Sequence, residues 1–142
     1  MKNLFYILSF LVIVALFSCD TVEENTEITI FINSQADFDK YSDSSFEPGT
    51  SILFAKGETF KGQFVIKGSG TKESPNLMAA YDPKTGMVFR EWTDNKPIIE
   101  GEGTVNAVVL LKNGAFWEIN NLEVTNNDGT KNDQGEILGY LP

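Results

Sequence analysis

Two lysines, one tryptophan and a short run of oxygen-bearing side chains are the residues of this chain best suited to chemistry. Lys67 closes the apolar run Phe64-Val65-Ile66, and Lys112 closes Val108-Val109-Leu110-Leu111. A lysine at the end of a strand faces either bulk solvent, the usual state of a surface ammonium, or a groove, where it can bind an acidic substrate group or move a proton. Trp92 lies beside Arg90 and Glu91 in the long segment from Asp82 to Asn95. Its indole can offer a flat apolar face to a sugar ring, or it can pack as a lid against the body of the protein. Further on, Asn127, Asp128 and Asp133, with Asn126 and Glu136 nearby, collect amide and carboxylate oxygens, the ligand type that calcium takes. No calcium-loop spacing is met, and Gly129 and Gly135 equally mark ordinary polar turns.

What is missing narrows the chemistry as much as what is present. The 142 residues contain no His, one Arg (Arg90) and one Cys (Cys19). The commonest general base and the commonest zinc ligand are therefore absent, and an intrachain disulfide is impossible. Eleven basic residues face 20 acidic ones, for a net charge of −9. That balance excludes nucleic acid as the expected partner, since phosphate binding needs a concentrated basic surface. Gly68-Ser69-Gly70 is not followed by a helical pattern, so it does not read as a phosphate loop.

The first 18 residues have the pattern of an export signal. Lys2 precedes an apolar run from Leu4 to Phe17 broken only by Ser9. This suits a signal peptide and falls short of the roughly 20 residues that span a bilayer. The run ends in Leu16-Phe17-Ser18-Cys19, which resembles the lipobox of bacterial lipoproteins, with Phe17 where that family has a small residue. The resemblance implies acylation of Cys19, cleavage just before it, and a lipid-anchored protein at the bacterial outer membrane or cell surface. An acyl anchor also gives the lone Cys a function other than that of a free thiol open to oxidation. The expected divisions are a signal peptide over 1–18, an acidic tether over 19–25 and one structural domain over 26–142.

The elements that must position the candidates are mostly strands. Thr26 to Ile32 largely alternates polar with β-branched apolar residues and predicts a strand. Ser34 and Asp37 form a capping-box pattern that predicts a short helix over Gln35–Tyr41, with Phe38 and Tyr41 on one face. Ser42 to Thr50 is turn chemistry. Beyond it, apolar runs of mostly three to five residues recur at irregular spacing, and no 3.6-residue period is sustained. Very short, often doubly apolar strands with variable connections suit a parallel β-helix, where each strand pairs with its equivalent in the next coil. In Phe116–Thr125 the alternation puts Trp117, Ile119, Leu122 and Val124 inside, and Glu118 and Glu123 in solvent. It breaks once, at Asn120-Asn121, where the chain bends between sheets.

The stretch Pro48-Gly49-Thr50-Ser51-Ile52-Leu53-Phe54 followed by Lys56-Gly57-Glu58-Thr59-Phe60 resembles the opening of right-handed parallel β-helix proteins of the pectate-lyase-like superfamily. Thr50 stands where that family has Asp after the Pro-Gly pair. Gly62–Gly70, Lys96–Gly101 and Phe116–Asn127 are similar to its successive strands and turns. The resemblance implies an all-β fold, a right-handed parallel β-helix with a short N-terminal capping helix. It also implies a class that handles polysaccharide as lyase or hydrolase; for such chemistry the candidate substrate contacts are Trp92, Lys67 and Lys112, and the candidate calcium ligands are Asn127, Asp128 and Asp133. About two to three coils fit in this length, and the stretch after Val124 reads as a loop toward another coil, so the solenoid is expected to be incomplete at its C-terminal end. On that expectation the chain alone is inactive. The alternative is a noncatalytic carbohydrate-binding or adhesion module.

Overall fold

The computed structural model describes residues 27–131 and 137–139. The export signal, the tether and Cys19 lie outside them. In chain order the elements are β1 (Ile28–Ile32), α1 (Gln35–Tyr41), β2 (Ser44–Ser45), β3 (Thr50–Ala55), β4 (Thr59–Lys61), β5 (Phe64–Lys67) and β6 (Asn76–Tyr81). They continue with β7 (Val88–Phe89), β8 (Ile98–Glu100), β9 (Val109–Lys112), β10 (Trp117–Asn120), β11 (Glu123–Thr125), β12 (Asn127–Lys131) and β13 (Ile137–Gly139).

Three parallel sheets carry the fold. The first runs β1-β3-β6-β10, the second β4-β8-β11 and the third β2-β5-β9. The chain visits them in rotation, first, second, third, and then returns to the first one strand further along, which makes a solenoid-like stack. Strands this short have no stability of their own. They are held by columns of like side chains, because in-register parallel pairing places the same face over the same face. In the first sheet Ile30, Ile52, Met78 and Ile119 form one column. In the second, Phe60, Ile99 and Val124 form another. In the third, Ile66 lies over Leu111.

The centre is aromatic. Phe38 stacks on Phe60 at 5.7 Å and meets Phe64 at 5.0 Å, while Phe54 packs edge-on against Phe60 and Phe64 at 5.4 and 5.3 Å. All four rings are buried, and truncating any one to Ala is worth ~3–5 kcal/mol. β3 and β6 are buried along their whole length. Their other face forms a second cluster of Leu53, Ala55, Leu77, Ala79 and Tyr81, which is why these runs are doubly apolar.

Helix α1 has the predicted bounds. Ser34 Oγ accepts the Asp37 N–H at 3.2 Å, and the Asp37 carboxylate accepts the Asn33 N–H at 3.1 Å and the Ser34 hydroxyl at 2.8 Å. The helix falls between β1 and β2, the place where later coils put a strand of the second sheet. Gln35 completes that substitution: its amide accepts the Lys61 N–H at 2.8 Å and donates to the Lys61 carbonyl at 2.9 Å. The side chain thus supplies the pair of bonds that another strand would give β4.

The corners follow the sequence. Asn121 turns the chain from β10 to β11 with φ 54°, as the broken alternation predicts. At Gly68 (φ 87°) a Cβ would stand 2.2 Å from the Phe46 carbonyl oxygen, so only glycine fits. Inside the stack, the buried Asn76 Oδ1 accepts the Thr50 N–H at 3.0 Å.

Four expectations are corrected. β2 lies in the stretch expected to be all turn. β7 departs from parallel pairing and forms an antiparallel bridge with β6, Tyr81 opposite Val88 and Ala80 opposite Phe89. After Thr125 the chain does not simply loop onward: β12 pairs antiparallel with β13. Ile119 and Val124 point inward by register, over the buried Met78 and Ile99, yet they are 46% and 50% exposed. Each lies on the outermost strand of its sheet, so no further rung covers it among the described residues.

Candidate functional site

Lys67 and Lys112 are partners in the β5–β9 register. They alternate with the buried Ile66 and so project from the outer face of the third sheet, ~4.8 Å apart in the ladder direction. Lys67 is already engaged, with Nζ 2.7 Å from Asp43 Oδ1 and 3.2 Å from the Asp43 carbonyl oxygen. The hydrogen bond from Lys67 holds the Asp43 carboxyl below its ordinary value, and the charges of Lys67 and Lys112 add to the effect. Lys112 is exposed. Two ammonium groups over one carboxylate leave one positive charge for an anionic ligand.

Trp92 does not join them. It lies on the connection from the first sheet to the second, and its indole is 74% exposed, which overturns its packing as a lid. The part of that segment which does pack is around β7. There the Phe89 carbonyl accepts the Asn121 amide at 2.7 Å, and Asp82 and Lys56 pair at 2.7 Å. Exposed Trp92 is left beside Lys96, whose Nζ is 5.9 Å from the ring centroid.

A cleft of about 260 Å³ on the outside of the first sheet was not foreseen. It gathers Glu27, Ser51, Glu73, Leu77 and Arg90 from different coils. Arg90 Nη1 is 2.7 Å from Glu118 Oε2, so Glu118 is an ion-pair partner and not a simply solvated residue. On the same sheet face, the Tyr81 hydroxyl donates to Asn33 Oδ1. Burial pushes the Tyr81 phenol above its ordinary value, which keeps it protonated and unsuited to act as a base at neutral pH. No single motif announces this cleft, because its residues are neighbours only through the register of the coils.

No protein-family model matches the chain, and no curated protein matches it. A solved structure does: the alginate lyase from Paenibacillus sp. strain FPU-7. The TM-score is 0.52 at 21% sequence identity, covering 70% of this chain and 32% of the other. The chain thus spans about a third of the length of that protein. At this identity the likeness bears on the fold alone, and it agrees with an all-β, solenoid-like stack of parallel sheets.

The candidate calcium ligands are only partly in view. Asn127 and Asp128 lie on β12, and Asp133 lies outside the described residues. Asn127 Oδ1 accepts the Gly129 N–H at 2.7 Å, a turn-forming bond. Among the described residues no group of three or more Cys, Asp or Glu side chains is arranged to hold a metal ion.

Proposed function

We propose that this chain forms the opening coils of a lipid-anchored, extracellular right-handed parallel β-helix that binds acidic polysaccharide, with α1 as the cap of the cylinder and Cys19 as the acylated residue. The fold likeness to an alginate lyase carries the reading. The outward Lys67–Lys112 pair supplies the chemistry: a uronate polymer presents carboxylates, and Lys112 is free to meet one while Asp43 holds Lys67 in place. Catalysis by elimination needs a cation, a proton acceptor and a donor to the leaving group. Tyr81 is held protonated and Lys67 is ion-paired. In this proposal the chain alone binds without turnover, and further coils stack on the exposed rungs at Leu111, Ile119 and Val124 to complete an active site. The same two observations favour a second reading, a noncatalytic carbohydrate-binding module.

Incubating the full chain with alginate, pectate or chondroitin, with and without calcium, separates binding from turnover. Calorimetry is expected to show binding that weakens with salt and is lost in Lys112→Ala, with no ultraviolet absorbance from an unsaturated product. Growth of that absorbance overturns the binding-only statement, and absence of binding overturns the polysaccharide reading. Labelling cells with a radioactive fatty acid checks the anchor: label is expected on the wild type and not on Cys19→Ser.

A further inference from the structure

We infer that Trp92 is the platform of a second sugar site, one that takes an uncharged pyranose and not a uronate. Two clefts flank the indole, of about 310 and 380 Å³, and Trp92 lines both. Each lies within the ~300–1,000 Å³ typical of small-ligand clefts. A scattered apolar side chain on a surface needs no explanation. A 74%-exposed indole standing as the ridge between two clefts is a different object. Its flat face matches the C–H face of a pyranose, and the rims supply hydrogen-bonding groups.

The charges on the rims select the ligand. The first cleft carries Asp94, Asn95, Lys96 and Glu123, and the second carries Arg90 and Glu91. Arg90 is paired with Glu118 at 2.7 Å, and Lys96 stands 5.9 Å over one face of the indole, which leaves the other face to the ligand. Glu91, Asp94 and Glu123 have no ion-pair partner among the described residues. The groups left for a ligand are therefore carboxylate acceptors, which take the two hydroxyl protons of a vicinal diol. A uronate would set its carboxylate against Asp94 and Glu123 in the first cleft, or against Glu91 in the second, and is disfavoured. Neutral sugar at Trp92 and acidic sugar at Lys112 are thus two separate specificities, carried on different sides of the stack.

The site does not rest on the acidic-polysaccharide reading, and one fluorescence experiment keeps the two apart. The chain has two tryptophans. Trp117 is half-buried against Phe46 with its Nε1–H donated to the Gly68 carbonyl at 3.0 Å, so a surface ligand leaves it undisturbed. The full chain in detergent is titrated with cellohexaose, laminarihexaose, mannohexaose and guluronate hexamer. At least one neutral hexamer is expected to shift the emission to shorter wavelength with saturation, and guluronate is expected to leave it unchanged. Trp92→Ala should abolish the shift with an unaltered far-ultraviolet spectrum. Calorimetry is expected to show binding about tenfold weaker in Trp92→Ala, with Trp92→Phe in between. Lys67→Ala and Lys112→Ala should bind the neutral hexamer as the wild type does. The inference is overturned if no neutral hexamer shifts the emission, if guluronate shifts it equally or at lower concentration, or if the shift survives in folded Trp92→Ala.

Discussion

At the residue scale, the backbone corners discriminate more sharply than the side chains. Gly68 and Gly86 both have left-handed φ, 87° and 73°, but a Cβ at Gly68 meets the Phe46 backbone at 2.2 Å while one at Gly86 meets nothing within 4 Å. Gly86→Ala is expected to cost only the left-handed strain, ~1 kcal/mol. Gly68→Ala adds an overlap that backbone cannot yield to and is expected to cost ~3 kcal/mol or more. Urea unfolding of the two variants checks this; equal costs would mean that the corners following β2 and β5 can separate without penalty. The acidic residues make a second prediction. Asp43 is held below its ordinary value first by its hydrogen bond from Lys67, and Asp82 first by its bond from Lys56 and then by the Lys84 N–H. A carboxyl depressed in the folded state stabilises the fold above its unfolded pKa of ~3.9. That contribution fades as pH falls through the lower folded value. Thermal midpoints are expected to drop from about pH 4 downward, and less steeply in Lys56→Met, which removes the chief cause at Asp82. A parallel fall in the variant would place the acid sensitivity elsewhere.

At the element scale, α1 stands in for a strand and Gln35 makes the substitution work. Gln35→Ala leaves the Lys61 N–H and carbonyl facing water at the edge of β4. The expected cost is about 1 kcal/mol, since both groups are exposed and water replaces the amide. Ser34→Ala removes the cap and is expected to cost a similar ~1 kcal/mol. Hydrogen exchange should separate them: Gln35→Ala is expected to speed exchange at Lys61 selectively, whereas Ser34→Ala speeds it at Asp37. The helix was legible because its signals are local; Ser34, Asp37 and Phe38 lie within five residues of one another. The ladder was legible only in outline. Paired residues in the first sheet, Ile28 with Thr50, Ser51 with Leu77 and Asn76 with Trp117, are 22, 26 and then 41 residues apart. A period that irregular hides register. β4 offers one buried residue, Phe60, between two exposed ones, too little alternation to tell from a turn. The lysines were legible as types at strand ends, but the Asp43 beneath Lys67 was not, because a left-handed Asp43 (φ 70°) reads as turn chemistry alone. Trp92 was placed in the right segment, and only the fold could show that its indole stays 74% exposed.

At the scale of the whole molecule, one end of the stack has a property the other lacks. At the α1 end, Phe38 is buried among the core rings and the Gln35 amide bonds the β4 edge. At the opposite end β9, β10 and β11 are the outermost strands of their sheets, and the inward-pointing Leu111, Ile119 and Val124 are 39%, 46% and 50% exposed. Unpaired strand edges beside apolar side chains are a template for further strands, from the same or another chain. Net charge of −9, which becomes −10 when Lys2 is removed with the leader, opposes association between copies through long-range repulsion. Salt at ~0.15 M shortens that repulsion to ~8 Å and leaves the contact attraction intact. A chain starting at residue 20, free of the apolar leader, is therefore expected to associate with rising concentration, and more strongly at 0.15 M salt than at low salt. Ile119→Lys with Val124→Lys is expected to hold it monomeric in sedimentation velocity at a cost of about 2 kcal/mol, since each half-exposed side chain still packs on the rung beneath it. Two outcomes count against this picture of the open end. Association unchanged by the two lysines would move the sticky surface elsewhere, and unfolding of the double variant would mean that these side chains are fully buried in solution.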